Sequence, residues 1–251
     1  MYHFFVDPGQ IGPTDIAITG SDVNHIRNVL RMQPGEQITV SSGEDEKEYR
    51  CEIRALSEEE VTAHIMWVEE TGAELPSRIS LFQGLPKADK MELVIQKAVE
   101  LGAYELVPMA TRRAVVKLDA KKEAAKLKRW SAISESAAKQ SKRRIIPQVH
   151  SVMAFREAVD YAASQYDICL IPYELADGME QTRRILNGVQ PGQSVAILIG
   201  PEGGFEESEV QYAKEKGVRP ITLGRRILRT ETAGMTVLAA LMMQLEGRQE
   251  G

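Results

Sequence analysis

The stretch Val195-Ala196-Ile197-Leu198-Ile199-Gly200-Pro201-Glu202-Gly203-Gly204-Phe205 decides the fold. Five apolar residues in a row read as a strand covered on both faces, and a helix is expected to begin near Glu206. In an open α/β sheet, ligands collect at the carboxyl ends of the strands, and glycines there let the backbone approach a ligand closely. No Gly-Lys-Ser/Thr follows and the glycines do not fit GxGxxG, so neither a phosphate loop nor a dinucleotide fingerprint is present. A tight strand-to-helix turn needing positive φ would use the same glycines, and that reading stands beside the ligand one.

Working outward, the chain from Arg78 alternates strands with longer helices, the pattern of an α/β sheet with mostly parallel strands. Further strands are predicted at Ile79–Gln83, Glu105–Met109, Ile146–Val149, Ile168–Tyr173 and Ile221–Leu223. Met91, Val94, Ile95, Ala98 and Val99 keep helical spacing, and Gly102 supplies the stop. Leu127, Trp130 and Ile133 form a similar stripe, so Trp130 is expected in the core rather than stacked on a base. No internal repeat or low-complexity segment interrupts the pattern.

A second loop of interest runs Leu223-Gly224-Arg225-Arg226-Ile227-Leu228-Arg229-Thr230-Glu231-Thr232-Ala233 into a helix, Gly234 to Leu245, that is apolar almost all the way round. Such a helix must be buried in the core or against a partner. Arginines beside so apolar an element each need an anion or a hydrogen-bonding site, which makes at least one functional unless all are salt-bridged. Lys87 and Lys90 flank the start of the first large helix. Cations there oppose the helix dipole and suit an incoming phosphate, although either can simply be solvated.

Residues 1 to about 72 have a different character. Strands are predicted near Tyr2–Val6, Asp15–Thr19 and Gln37–Val40, with two more where Tyr49, Cys51, Ile53 and Ala55, then Val61, Ala63, Ile65 and Trp67, alternate with polar residues. Between them Ser21 can cap a short helix carrying Val23, Ile26, Val29 and Leu30 on one face. Five short strands suggest a small barrel. Gly72 to Pro76 makes a plausible hinge.

The chain has 251 residues, 43% hydrophobic and 27% charged, an ordinary globular profile. Cys51 and Cys169 are far apart in apolar stretches, which excludes a CxxC-type site and suggests a reducing compartment. The histidines have no ligand spacing, no metal site is expected, and neither GxSxG nor HExxH occurs. No apolar run approaches the length of a membrane span, so a cytoplasmic protein is expected. The net charge of −5 hides a segregation. Between Thr111 and Arg144 there are 12 Lys or Arg against 3 acids, so that stretch carries +9 and the remainder −14. Such a stretch fits a face that meets a polyanion, or else a solvated helix face.

Several ordered motifs together resemble one family. Leu85-Pro86-Lys87 with Asp89-Lys90, Gln96-Lys97 with Glu100-Leu101-Gly102, Arg129-Trp130 with Gln140-Ser141 and Arg143, Gly200-Pro201-Glu202-Gly203-Gly204, Leu223-Gly224 with Arg226-Ile227-Leu228-Arg229, and Glu231-Thr232-Ala233 are similar to the RsmE family of 16S ribosomal RNA uridine-N3 methyltransferases in the SPOUT superfamily. The likeness covers nearly the whole chain, including Asp22–Met32. It implies residues 1–72 as a PUA-like β-barrel that binds RNA and residues 73–251 as a trefoil-knotted α/β domain. It also implies a homodimer acting on 16S ribosomal RNA or the small subunit, with S-adenosyl-L-methionine as cofactor and neither metal nor membrane.

Carried over residue by residue, the resemblance implies a cofactor site of Ile171, Pro172, Tyr173, Ile199, Gly200, Pro201, Glu202, Gly203, Gly204, Leu223, Gly224, Ile227, Leu228, Thr230 and Ala233. Arg229 is the expected catalytic residue, then Arg226, with Glu231 or Glu202 taking a proton or orienting an arginine. RNA contacts are expected from His25, Arg27, Arg31, Lys87, Lys90, Arg113, Lys121, Lys122, Lys128, Arg129, Lys142 and Arg143. His3 departs from the family, where arginine is frequent. A non-catalytic RNA-binding assembly factor would share the basic stretch and the barrel, but has no need of two glycine-containing strand ends joined to an arginine cluster. A nucleotide-binding enzyme of another α/β type would need a phosphate loop.

Overall fold

A computed structural model describes residues 1–70, 72–174 and 178–247. The chain divides into two units: Met1–Glu74 with Ala138–Ile146, and Leu75–Ala137 with Pro147–Gly251.

The first unit is a curled sheet of β1 (Tyr2–Phe5), β2 (Asp15–Thr19), β3 (Gln37–Ser41), β4 (Glu48–Leu56) and β5 (Glu60–Glu69), in the order β1-β3-β4-β5-β2. The pairings are antiparallel except β1 with β3. Alternation places Phe4, Ile16, Ile18, Ile38, Val40, Cys51, Ile53, Val61 and Ala63 in one core. Three local expectations fail. The helix at Ser21 is only one turn, α1 (Ser21–Asn24), followed by a wider turn over His25–Val29 that leaves Val29 61% exposed. A bulge between Ile53 and Ala55 turns Ala55 outward. Trp67 lies beyond the end of the β2 ladder at His64 and stays about half exposed.

Residues 138–146 group with this unit through ion pairs. Arg143, 3% exposed, donates to both carboxylate oxygens of Glu74 at 3.1 Å, and Arg144 is held by Glu69 at 2.8 Å and by the Glu46 carbonyl at 3.0 Å. Arg143 was expected on the RNA. Its guanidinium is instead spent on an internal carboxylate and cannot reach a phosphate without abandoning it.

The second unit is a parallel sheet of seven strands. In chain order these are β6 (Ile79–Gly84), β7 (Glu105–Ala110), β8 (Gln148–Val149), β9 (Met153–Ala154), β10 (Ile168–Pro172), β11 (Val195–Ile199) and β12 (Arg219–Ile221). Their order is β12-β10-β11-β6-β7-β8, with β9 also pairing β7. The helices are α2 (Lys90–Glu100), α3 (Ala120–Gln140, whose last turn belongs to the first unit), α4 (Phe155–Gln165), α5 (Met179–Gly188), α6 (Glu207–Glu215) and α7 (Thr230–Glu246). Every residue of β6 and β11 is buried, as the apolar runs predict, and Trp130 is in the core. Gly102 ends α2 with φ of +84°, a conformation glycine adopts without strain. Two strands differ from expectation: the one expected over 146–149 is reduced to β8, and the one expected at 221–223 lies two residues earlier, leaving Thr222 onward as loop. Helix α7 begins four residues before Gly234. At Gly234 the helix comes onto the sheet so closely that a Cβ would lie 3.3 Å from Leu81 Cδ1.

Candidate functional site

Strands β10, β11 and β12 run parallel, so their carboxyl ends open on one side of the sheet. There the loop after β11 and the loop between β12 and α7 enclose a cleft of about 600 Å³, within the roughly 300–1,000 Å³ of small-molecule sites. Its walls contain Pro172, Tyr173, Ile199, Gly200, Pro201, Glu202, Gly203, Gly204, Leu223, Gly224, Ile227, Leu228, Thr230 and Ala233, together with Arg226, Arg229, Lys90 and Arg113. Of the expected cofactor residues only Ile171 is absent. The alternation of β10 turns its side chain, 0% exposed, into the core beneath, while Pro172 and Tyr173 reach the surface.

The glycines have distinct tasks. Gly84 at the end of β6 lets Pro201 pass, since a Cβ there would lie 2.8 Å from the Pro201 nitrogen. A Cβ on Gly200 would come within 3.0 Å of the Gly204 backbone. Gly204 has φ of +67°, so the turn the sequence allowed and the approach surface are the same loop.

The loop is tied to α7 by a buried relay. Gln83 Nε2 donates to Thr230 Oγ1 at 2.8 Å, and Thr230 Oγ1 donates to the Gly200 carbonyl at 2.6 Å. Gln83, 0% exposed, also donates to the Gly84 carbonyl at 2.9 Å. The ends of β6 and β11 and the start of α7 thus meet at one hydroxyl. Sequence reasoning passed over Gln83, although a long polar side chain in a strand otherwise apolar but for Ser80 was the available signal.

Charges around the cleft are unevenly satisfied. Lys90 Nζ lies 3.0 Å from Glu202 Oε1 and 3.6 Å from Glu231 Oε2. The hydrogen bond from Lys90 and the charges of both carboxylates raise the Lys90 pKa, so it remains an ammonium. Partial burial pushes the Glu202 carboxyl up, but Lys90 and the backbone N–H of Lys87, at 3.1 Å, hold it below its ordinary range. A carboxylate so held is a poor proton acceptor. Glu202 and Glu231 therefore orient a lysine rather than an arginine. Arg113 donates to the Gly203 carbonyl at 2.9 Å. Arg225, Arg226 and Arg229 line the cleft and are exposed, and their side chains make no ion pair or hydrogen bond with the described residues.

The remaining cations expected on RNA divide in the same way. Arg129 pairs with Glu92 at 2.7 Å and Lys122 with Asp119 at 3.3 Å, while Lys121 and Lys128 are exposed on α3. Lys87 is exposed beside the cleft, and Lys142, with φ of +60°, is exposed in the first unit. His25, Arg27 and Arg31 lie on the turn after α1, where His25 and Arg31 are exposed and Arg27 is partly buried. Both cysteines are free and buried, and burial pushes the Cys51 thiol up to about 12 and that of Cys169 to about 11. Among the described residues no group of acids, histidines and cysteines could hold a metal, and no helix is long and apolar enough to cross a membrane.

Residues 73–242 match a family described as RNA methyltransferase domain and residues 18–66 one described as RNA methyltransferase PUA domain. Fold and site together define an RNA methyltransferase with a PUA-like domain. A ribosomal RNA small subunit methyltransferase E from Bacillus subtilis is 39% identical over 92% of this chain and 90% of its own. Another from Synechocystis is 30% identical over 98% of this chain and 78% of its own. Two solved structures superpose with TM-scores of 0.83. One is a ribosomal RNA small subunit methyltransferase E from Neisseria gonorrhoeae bound to S-adenosyl methionine, 32% identical with 97% of both chains covered. The other is a putative methyltransferase from Legionella pneumophila with bound SAM, 33% identical with 96% of both chains covered. The chain belongs to the ribosomal RNA small subunit methyltransferase E family.

Proposed function

We propose that the protein methylates N3 of one uridine in 16S ribosomal RNA, with S-adenosyl-L-methionine held in the cleft at the ends of β10, β11 and β12. The observation that carries this reading is the convergence of the Gly200–Gly204 loop, the Arg225–Arg229 loop and the start of α7 on one cavity. The cavity fits the cofactor: glycine backbone is open to an adenosine, Pro172, Ile199 and Leu223 are apolar walls, and its volume suits a molecule of that size. When bound, the cofactor supplies an electrophilic methyl group on a sulfonium that is its own leaving group.

The chain's part is to fix geometry and to stabilise charge. Uridine N3 bears a proton and becomes a nucleophile only when it is lost, which spreads negative charge onto the neighbouring carbonyl oxygens. Arg229, unpaired at the start of α7, is the residue to meet that charge, with Arg226 beside it. The helix end adds to the same field. Lys90, fixed between Glu202 and Glu231, is a second cation at the cleft. The RNA is held by phosphate contacts from Lys87, Lys121, Lys122, Lys128 and Arg113, and by His25, Arg27 and Arg31 in the PUA-like domain. Within this reading residues 1–72 recognise RNA, residues 73–251 carry the chemistry in a knotted chain, and the enzyme works in the cytoplasm as a homodimer. The return of the chain from edge strand β12 to Thr230, which bonds Gly200 beside β11, supports the threading.

The test pairs calorimetry of cofactor binding with transfer of labelled methyl to small-subunit RNA. Arg229→Ala should bind the cofactor nearly as the wild type does and turn over about 100-fold more slowly. Near-normal turnover would remove Arg229 from the mechanism.

A further inference from the structure

Ile227 is 88% exposed, more than any other large apolar residue among those described. It projects from the loop between β12 and α7, at the wall of the cleft, and the guanidinium groups of its neighbours Arg225, Arg226 and Arg229 make no ion pair or hydrogen bond with the described residues. An apolar tip set among unneutralised cations is the composition of a side chain that enters a nucleic-acid stack while its flanks take the backbone. Arginines draw in the phosphates, and an aliphatic wedge occupies the space between bases.

The reaction supplies the need. N3 lies on the Watson–Crick edge of uridine, where pairing hides it and stacking keeps it away from a recessed cavity. A base whose inner edge is to react in a pocket has to leave its stack. Resting on the proposed methyl transfer to N3, we propose that Ile227 is a wedge: it fills the gap left when the target uridine turns into the cleft, while Arg225 and Arg226 hold the adjacent phosphates. Ile227 is then a positioning residue: its side chain, 88% exposed, acts on the bases next to the target and not on the reacting atoms, and the cofactor contact expected at this position falls to its backbone, which substitution of the side chain leaves in place. A second copy of this chain is the less suitable occupant, because a self-complementary contact centred on this loop would set its arginines against one another.

Ile227→Ala and Ile227→Leu test this with unmethylated small subunits and S-adenosyl-L-methionine, wild type alongside. Neither change disturbs a buried contact. In Ile227→Ala the expected result is unchanged cofactor affinity and unchanged dimer mass, KM for the subunit within about threefold, and kcat lower by about tenfold or more. Ile227→Leu, which restores an aliphatic wedge, should recover most of that kcat. Wild-type kcat in Ile227→Ala would overturn the proposal. So would a loss of cofactor affinity, which would put the side chain in the cofactor site, or a shift to monomer, which would put it between copies. If the wild type itself binds no cofactor or transfers no methyl group, the underlying function has failed instead of the wedge.

Discussion

His3 shows how one residue's surroundings set its chemistry. Burial, then the charges of Lys139 and Arg144, lower its pKa from 6.5 to about 4, so at neutral pH it is uncharged. Its contact with Glu48 at 3.4 Å is accordingly not an ion pair, and its Nδ1 shares a hydrogen bond with Thr39 at 2.9 Å. Between pH 6.5 and about 4 the unfolded chain binds a proton that the folded chain refuses, so His3 lowers stability as pH falls through that window. The effect is worth at most about 3 kcal/mol. His3→Gln should flatten this part of the stability curve, read as urea midpoints at pH 7 and pH 4.5. Parallel losses in both proteins would contradict it. Which residues line the cleft was legible in the sequence wherever motifs fixed it, as at Gly200–Gly204. Legibility failed where a partner distant in sequence decides the role: Glu74 claims Arg143, and the pleat of β10 buries Ile171.

At the scale of elements, α7 is placed by its first residue. Thr230 both accepts from Gln83 and donates to Gly200. Thr230→Val keeps the shape but leaves the buried Gln83 amide short of an acceptor and the Gly200 carbonyl without its donor. It should cost about 1–3 kcal/mol in unfolding free energy. It should also weaken cofactor binding measurably, because the two cleft-forming loops are no longer tied together. Thr230→Ser retains the hydroxyl and should restore binding. Equal affinity in the valine variant would show that the relay does not shape the cleft. The strands of the parallel sheet were legible because continuous apolar runs have little else to become. The bulge in β4, the two-residue shift of β12 and the early start of α7 were not, since each is set by ladder and hydroxyl partners that periodicity does not contain.

For the whole molecule, α7 buries Gly234, Val237, Leu238, Leu241 and Leu245 but turns Thr232, Thr236, Ala240 and Met243 outward, with Met243 72% exposed. Four small or apolar residues at helical spacing leave an uncharged face that one copy does not cover, as expected for a contact between two copies. Sedimentation should give a dimer mass for the wild type, and Ala240→Glu should shift it to monomer while leaving the protein folded. A concentration-independent monomer mass in the wild type would contradict this. Composition and spacing reached the parallel sheet and the change of character near residue 72, but not that Ala138–Ile146 groups with the first unit, which ion pairs to Glu69 and Glu74 decide.

The central claim is a matter of which atom receives the methyl group. Small subunits from a strain lacking the protein, incubated with it and labelled S-adenosyl-L-methionine, then digested to nucleosides and separated, should yield label in 3-methyluridine at a single site. Label on a ribose oxygen or on another base, or none at all, would contradict it.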